Sequence, residues 1–469
     1  MLQPITDPDI IEGYLTDASN VRGTADALVR PGSAAEVVEI VRHCQAQGIP
    51  LTITAGRTST TAAPVPNGGW LLSTERLNRV VQISTDVATA EAGVFLGALQ
   101  TQIEEQGRFF PPDPTSRHEC TLGASIACNA SGARSFRYGS IRPWILSVEV
   151  VLPDGSMVHA DRDTPIPSDW PVAEWCEPNV KTAAGFYPAL NLLDLFIGQE
   201  GTLGIITRAT VRLTDLPGHV IGLLGWFANR EAAVDFVVAA RSLARRDASG
   251  PVSPRCLEYL DKHCLTIARQ TGADVPDGAG AALFCEQEVV PSIGDEAHLA
   301  AWWDLLVRHG GELADHTIVT ETDEARERLH RLRHAVPAGI NERAVRNGMP
   351  KVGTDLAVPD DALDRMMDRY EACPLESITF GHIGDNHLHC NVLPRTAEEL
   401  VLAREWYAEL AREAVRLGGT VSAEHGIGKL KRASLEYMVG PEVLEGFRRL
   451  KAHLDPNWIL GRGTMITRS

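Results

Sequence analysis

A chain of 469 residues with a formal charge of −17, 44 % hydrophobic and 22 % charged residues, has the composition of a soluble globular protein long enough for two or three domains. The acidic balance and the lack of any prominent Lys/Arg run argue against nucleic acid as a partner. The longest apolar run, Val220 to Ala228, falls far short of the roughly 20 residues a bilayer crossing needs, and nine cysteines without a CxxC pair argue against a disulfide framework or an iron–sulfur segment.

The amino-terminal stretch MLQPITDPDIIEGYL carries acids where a secretory signal would carry lysines, so the expected location is the cytoplasm, with peripheral membrane association left open. From Ala27 the pattern is strand, turn, helix, strand. Ser33 and Glu36 have the spacing of a capping box, and Gly48 supplies the stop. Leu51 to Thr54 is the next short strand. It runs into AGRTSTTAAPVP, a loop of small and hydroxylated residues whose amides and hydroxyls suit an anion; an ordinary threonine-rich surface loop is the alternative.

A second small-residue region, Phe109 to Ser140, is too long for a turn and too small-sided for a helix, and it lets backbone approach a flat or charged ligand. Asp154-Gly155, set between alternating apolar residues, predicts a hairpin. A third such segment, FIGQEGTLGIITRATVRL, covers Phe196 to Leu213. No GxGxxG occurs, which argues against an NAD-type Rossmann unit. After Thr214 to Gly218 the texture changes. VIGLLGWFA reads as a strand, NREAAVDFVVAARSLARR as an amphipathic helix, and the alternation of such segments to about Ser422 predicts an α+β domain on an antiparallel sheet.

GHIGDNHLHCNV, Gly381 to Val392, gathers three of the 15 histidines. A two-residue turn at Asp385-Asn386, with positive φ at both positions, makes His382 and His389 a direct cross-strand pair. Two such imidazoles can converge on one ion. Gly384, His387 and Asn391 then share their face, and Ile383, Leu388, Cys390 and Val392 the other. A polar face simply turned to water is the alternative. Arg404 to Gly419 reads as a helix that returns the chain to TVSAEHGIGKLK, where Glu424, at the end of a short strand, is the candidate third ligand. His425 beside it could stay free as a base. His387 is either a competing ligand or a solvent-facing tip residue.

Together these residues resemble the flavin-dependent D-2-hydroxy-acid dehydrogenases of the vanillyl-alcohol-oxidase-like superfamily, the branch holding D-lactate dehydrogenases, the glycolate oxidase catalytic subunit and D-2-hydroxyglutarate dehydrogenase. The likeness runs from about Val29 to Ile466. It implies an α+β chain with a vanillyl-alcohol-oxidase-type (PCMH-type) FAD-binding domain over 1–215, an antiparallel-sheet substrate and metal-binding cap domain over 216–425, and a segment 426–469 returning to the first.

By the same resemblance AGRTSTTAAPVP matches the flavin pyrophosphate loop, with Gly56, Arg57, Thr58 and Ser59 as contacts and no histidine for a covalent flavin bond, so that non-covalent FAD is expected. Thr121, Gly123, Ser125, Asn129 and Gly132 match the second flavin motif and Glu200, Gly201 and Ile205 the third, with Pro112 and Asp113 as further expected cofactor contacts. His382, His389 and Glu424 match the ligands of a divalent metal, zinc or manganese, although the usual Asp-Gly-Asn is here Asp385-Asn386-His387. His425 corresponds to the base, Arg333 and Lys351 to substrate-carboxylate groups, and Asn391 is expected to orient substrate. The implied reaction is oxidation of a small D-2-hydroxy acid, D-lactate-like or D-2-hydroxyglutarate, with electrons passed to a quinone, a cytochrome or an electron-transfer flavoprotein. A homodimer is left open. The competing readings are a non-redox flavoenzyme of the same superfamily, of the alkylglycerone-phosphate-synthase kind, and a metal-dependent hydrolase.

Overall fold

The computed structural model describes residues 3–311, 318–319 and 323–468, the side chains of 318 and 323–334 excepted. Near the amino terminus, β1 (Ala27–Val29), β2 (Leu51–Thr54) and β3 (Trp70–Ser73) form a parallel sheet in the order β1-β3-β2. The helix between β1 and β2, α1 (Ala34–Gln47), starts where Ser33 Oγ accepts the Glu36 N–H at 3.3 Å and stops at Gly48, whose φ of 66° suits glycine. Glu36 turns its carboxylate to the Gly32 N–H instead of to its own cap residue.

A second, antiparallel sheet holds β4 (Val80–Ile83), β5 (Val87–Glu91), β6 (Ile145–Val151), β7 (Met157–Asp161) and β8 (Ile205–Arg212) in the order β4-β5-β8-β6-β7. The expected hairpin joins β6 to β7. Leu152 and Ser156 close it across Pro153, Asp154 and Gly155, and Gly155 takes φ 79°. Far along the chain, Ile459 and Leu460 pack among Val29, Val37 and Leu72, and the Leu51 N–H donates to Ile459 O at 2.7 Å.

The largest sheet is built from β9 (Val220–Phe227), β10 (Pro254–Asp261), β11 (Ala281–Glu288), β12 (Ile318–Val319), β13 (Val352–Gly353), β14 (Leu356–Ala357), β15 (Ser377–Gly381) and β16 (His387–Val392). Its order is β12-β9-β11-β10-β15-β16-β13, with β14 also on β16, and its pairings are antiparallel. Both faces are covered, which explains the unbroken apolar text of β9. Ile221, Leu223 and Phe227 join one core with Phe236 and Val237 of α2 (Arg230–Arg246), while Leu224 and Trp226 join another with Leu265 and Ile340.

Helix α3 (Asp323–Asn347) precedes β13, and α4 (Ala397–Arg416) follows β16. The latter begins at Ala397 and not at Arg404, because Thr396 Oγ1 caps it through the Glu399 N–H. That cap has the S/T-x-x-E spacing. Among the described residues no helix is long and apolar enough to cross a membrane.

Candidate active site

Strands β15 and β16 pair as Phe380↔His389, Thr379↔Cys390 and Ile378↔Asn391. The predicted His382↔His389 pair is therefore displaced by two residues. The connection is wider than a two-residue turn: Gly381 takes φ 129°, Ile383–Asp385 form a 3₁₀ turn, and Asn386 alone, not Asp385, is left-handed. Long-range contacts impose this shape. Asp385 accepts from Ser135 Oγ at 2.6 Å, and the Asn386 amide is clamped between Arg241 and Asp360.

A displacement of two keeps side-chain parity, so the two faces survive. Ile383, Leu388, Cys390 and Val392 are fully buried in the core with Ala403, Trp406 and Leu410 of the helical layer, each such aliphatic worth about 1.5–3 kcal/mol. Gly384 is the exception, packed in the 3₁₀ turn against Phe136 and Leu257.

On the other face His382, His387 and His389 converge, with ring centroids 4.6 to 5.6 Å apart. Glu424 closes the group, and one donor atom from each of the four residues lies within 4.8 Å of all the others. Glu424 is not on a strand. Thr420 makes a lone bridge to Ala357, and Glu424 follows in a loop pinned from below by Asp355. Nor does His387 face solvent, being completely buried with Nε2 3.0 Å from Asp355 Oδ1 and Nδ1 lacking a hydrogen-bond partner among the described residues.

The outer contacts are those of a metal centre, where each imidazole hands its far nitrogen to an oxygen. His382 Nδ1 meets Glu258 Oε1 at 2.6 Å, and His389 Nδ1 meets Thr354 O at 3.1 Å. Their Nε2 atoms face Glu424, at 3.5 and 3.3 Å. The donor set thus fits a divalent ion. Burial disfavours a charged His382, yet the Glu258 carboxylate outweighs it and holds the imidazole up at about 10, so an ion binding here must displace a proton. Glu424 stays well below the usual carboxylate range despite burial, chiefly because Lys181 Nζ sits 2.9 Å away.

Asp355, fully buried, organises the loop that carries Glu424 and His425. It accepts from both of their backbone N–H groups at 3.1 Å, from Ser422 Oγ at 2.6 Å and from Lys431 Nζ at 2.6 Å. His425 Nε2 lies 3.6 Å from Glu424 Oε1, and burial pulls its imidazole down to about 4 against the upward pull of Asp355. It is therefore neutral at pH 7 and able to accept a proton. Glu258, Asp355 and Lys181 were not predicted. Only Asp355 had a sequence signal, since it lies four residues after Lys351, a residue the resemblance singled out.

Glu424 and His425 also line a cavity of about 370 Å³, together with the three small-residue segments through Gly56, Arg57, Thr58, Ser59, Gly123, Ser125, Glu200, Gly201 and Ile205. Two observations fit a ligand that carries polar groups and is approached closely by backbone. Thr54 Oγ1, at the cavity, is buried without a hydrogen-bond partner among the described residues. Gly56 lies so close to the second segment that an added Cβ would stand 2.0 Å from Glu119 O. Glu200 ties this cavity to the loop that carries Glu424 by accepting from the Ile427 and Gly428 N–H groups at 2.8 and 2.7 Å, and burial pushes its carboxyl up to about 7.

The other expected residues brace these parts or stand apart. Pro112 O accepts from Gln100, and Asp113 lies 3.4 Å from both Arg117 and Arg134. Gly132 gives Asp113 O the room a Cβ would fill. Thr121 precedes a short helix, Leu122–Ala127, without a side-chain cap bond, and Asn129 donates to Thr182 O. Asn391 is buried beside His389, donating to its carbonyl. Lys351 is exposed just before β13 and donates to Asn341 Oδ1 at 3.0 Å. Arg333 falls on α3, its side chain outside the described residues.

Residues 25–161 match the model of the FAD binding domain, and residues 226–465 that of the FAD linked oxidases, C-terminal domain. The chain is 31 % identical to a D-2-hydroxyglutarate dehydrogenase of Xanthomonas citri pv. viticola, over 98 % of this chain and 93 % of the relative. It is 30 % identical to a D-lactate dehydrogenase of Archaeoglobus fulgidus, over 94 % and 91 %. To the glycolate oxidase subunit GlcD of Bacillus subtilis it is 29 % identical, over 97 % and 92 %. Among solved structures, an alkyldihydroxyacetonephosphate synthase superposes with a TM-score of 0.70 at 17 % identity, over 98 % of this chain and 82 % of that one, which establishes a shared fold.

Proposed function

The chain belongs to the FAD linked oxidases, and from that premise we propose that it oxidises a small D-2-hydroxy acid, of the D-lactate or D-2-hydroxyglutarate kind, to the 2-oxo acid. The observation that carries this reading is the junction at Glu424 and His425, where the loop-lined cavity meets the histidine cluster. FAD held non-covalently by the segments around Gly56, Gly123 and Gly201 would supply the hydride acceptor. A divalent ion, zinc or manganese, held by His382, His389 and Glu424 would supply Lewis acidity toward the substrate hydroxyl.

The remaining work belongs to this chain's side chains. His425, neutral at pH 7, takes the hydroxyl proton at Nε2, and Asp355 holds its backbone in place. Asn391, next to His389 on the same face, orients the substrate. Arg333 and Lys351 are assigned to its carboxylate groups, which a guanidinium binds as a fork. Electrons leave to a quinone, a cytochrome or an electron-transfer flavoprotein.

An anaerobic titration tests the proposal. The flavin spectrum of the purified protein should bleach on adding D- but not L-2-hydroxy acids. Equal bleaching by both enantiomers, or none across a panel of D-acids, contradicts it.

A further inference from the structure

We infer that His387 is a fourth protein ligand, so that the ion sits among three imidazoles and one carboxylate. The inference rests on the metal reading proposed above and deepens it.

His387 is completely buried, and its Nδ1 has no hydrogen-bond partner among the described residues. A side chain so placed is normally satisfied. Its ring leans on both proposed histidine ligands, with centroids 5.3 Å from His382 and 4.6 Å from His389. Its Nδ1 faces Glu424 Oε2 at 3.9 Å, while Nε2 lies 3.0 Å from Asp355 Oδ1. That repeats the arrangement of the other two imidazoles, one nitrogen toward Glu424 and the other toward an outer oxygen.

Ligand atoms about 2.0–2.1 Å from a tetrahedral zinc lie roughly 3.4 Å from one another. The separations around Glu424 are 3.5, 3.3 and 3.9 Å, so small rotations suffice to close the shell. A purely structural His387, present to satisfy Asp355, is the less economical account, because that carboxylate already accepts from two backbone N–H groups, Ser422 and Lys431.

Two consequences follow. Three nitrogens in the shell favour zinc over manganese or magnesium. Four protein ligands also leave no vacant tetrahedral corner, so substrate must enter by expanding the shell to five.

The test uses the zinc-loaded, FAD-containing chain. X-ray absorption at the zinc edge counts coordinated imidazoles, and chelator competition measures zinc affinity. The native chain should fit three imidazoles. His387→Gln, which retains an amide near Asp355 but has no donor at the Nδ1 position, should fit two and bind zinc at least about tenfold more weakly. His387→Leu should behave the same way, with flavin content and circular dichroism reporting the fold. Two imidazoles in the native chain, or unchanged zinc affinity in both variants, overturns the inference while leaving the metal centre standing. A native chain that takes up no zinc overturns both.

Discussion

The flavin cavity and the histidine cluster meet at one pair of residues yet are built on opposite principles. The cavity is mostly a matter of main chain. Small residues let loops crowd together, as where Gly56 leaves room for Glu119 O, and the side chains that line it are short. The cluster is a matter of side chains, each fixed by a partner distant in sequence, such as Glu258 on His382 or Asp355 under Glu424. Sites of the first kind should absorb most polar substitutions and fail when a Cβ is added; sites of the second kind should fail ligand by ligand.

The largest predicted effect separates the two regions outright. His389→Ala should keep FAD but lose bound metal, and flavin reduction by a D-2-hydroxy acid should fall roughly a thousandfold; rapid-reaction absorbance and metal analysis check both halves. Glu258→Gln should be milder. With the ligands intact and only the outer carboxylate gone, metal affinity should drop about 10–100-fold, measured by chelator competition.

Gly56→Ala reverses the pattern. The added methyl group meets backbone at 2.0 Å, so flavin occupancy should fall and stability drop by about 1–3 kcal/mol in thermal or denaturant unfolding, with metal content unchanged.

Glu200, which joins the regions, gives the subtlest signal. Its carboxyl is raised by folding to about 7. The unfolded chain ionises first as pH rises, so any stability margin of the native chain over Glu200→Gln should shrink between about pH 4.5 and 7 and level off above. Parallel unfolding curves of the two proteins check the direction.

How much of this was legible in the sequence follows the same division. The flavin segments stood out because small residues in long runs are unusual, and they line the cavity as runs. The two faces of β16 were legible because period-2 alternation survives a pairing displaced by two residues; the turn was not, since Ser135, Arg241 and Asp360 shape it from far away. Glu258 lies 124 residues from His382, and Lys181 lies 243 from Glu424. No local pattern marks such partners, because tertiary packing alone makes them neighbours. His387 was ambiguous for the same reason: the carboxylates beside its ring, Asp355 and Glu424, come from elsewhere in the chain.

The claim that both regions act as one active site is tested most directly by stripping the metal with a chelator while FAD stays bound, then following anaerobic flavin reduction by a D-2-hydroxy acid before and after zinc or manganese is restored. The account predicts a spectrally normal but nearly unreducible flavin in the stripped protein, with reduction recovered on adding back the ion. Reduction at the native rate without metal would contradict it.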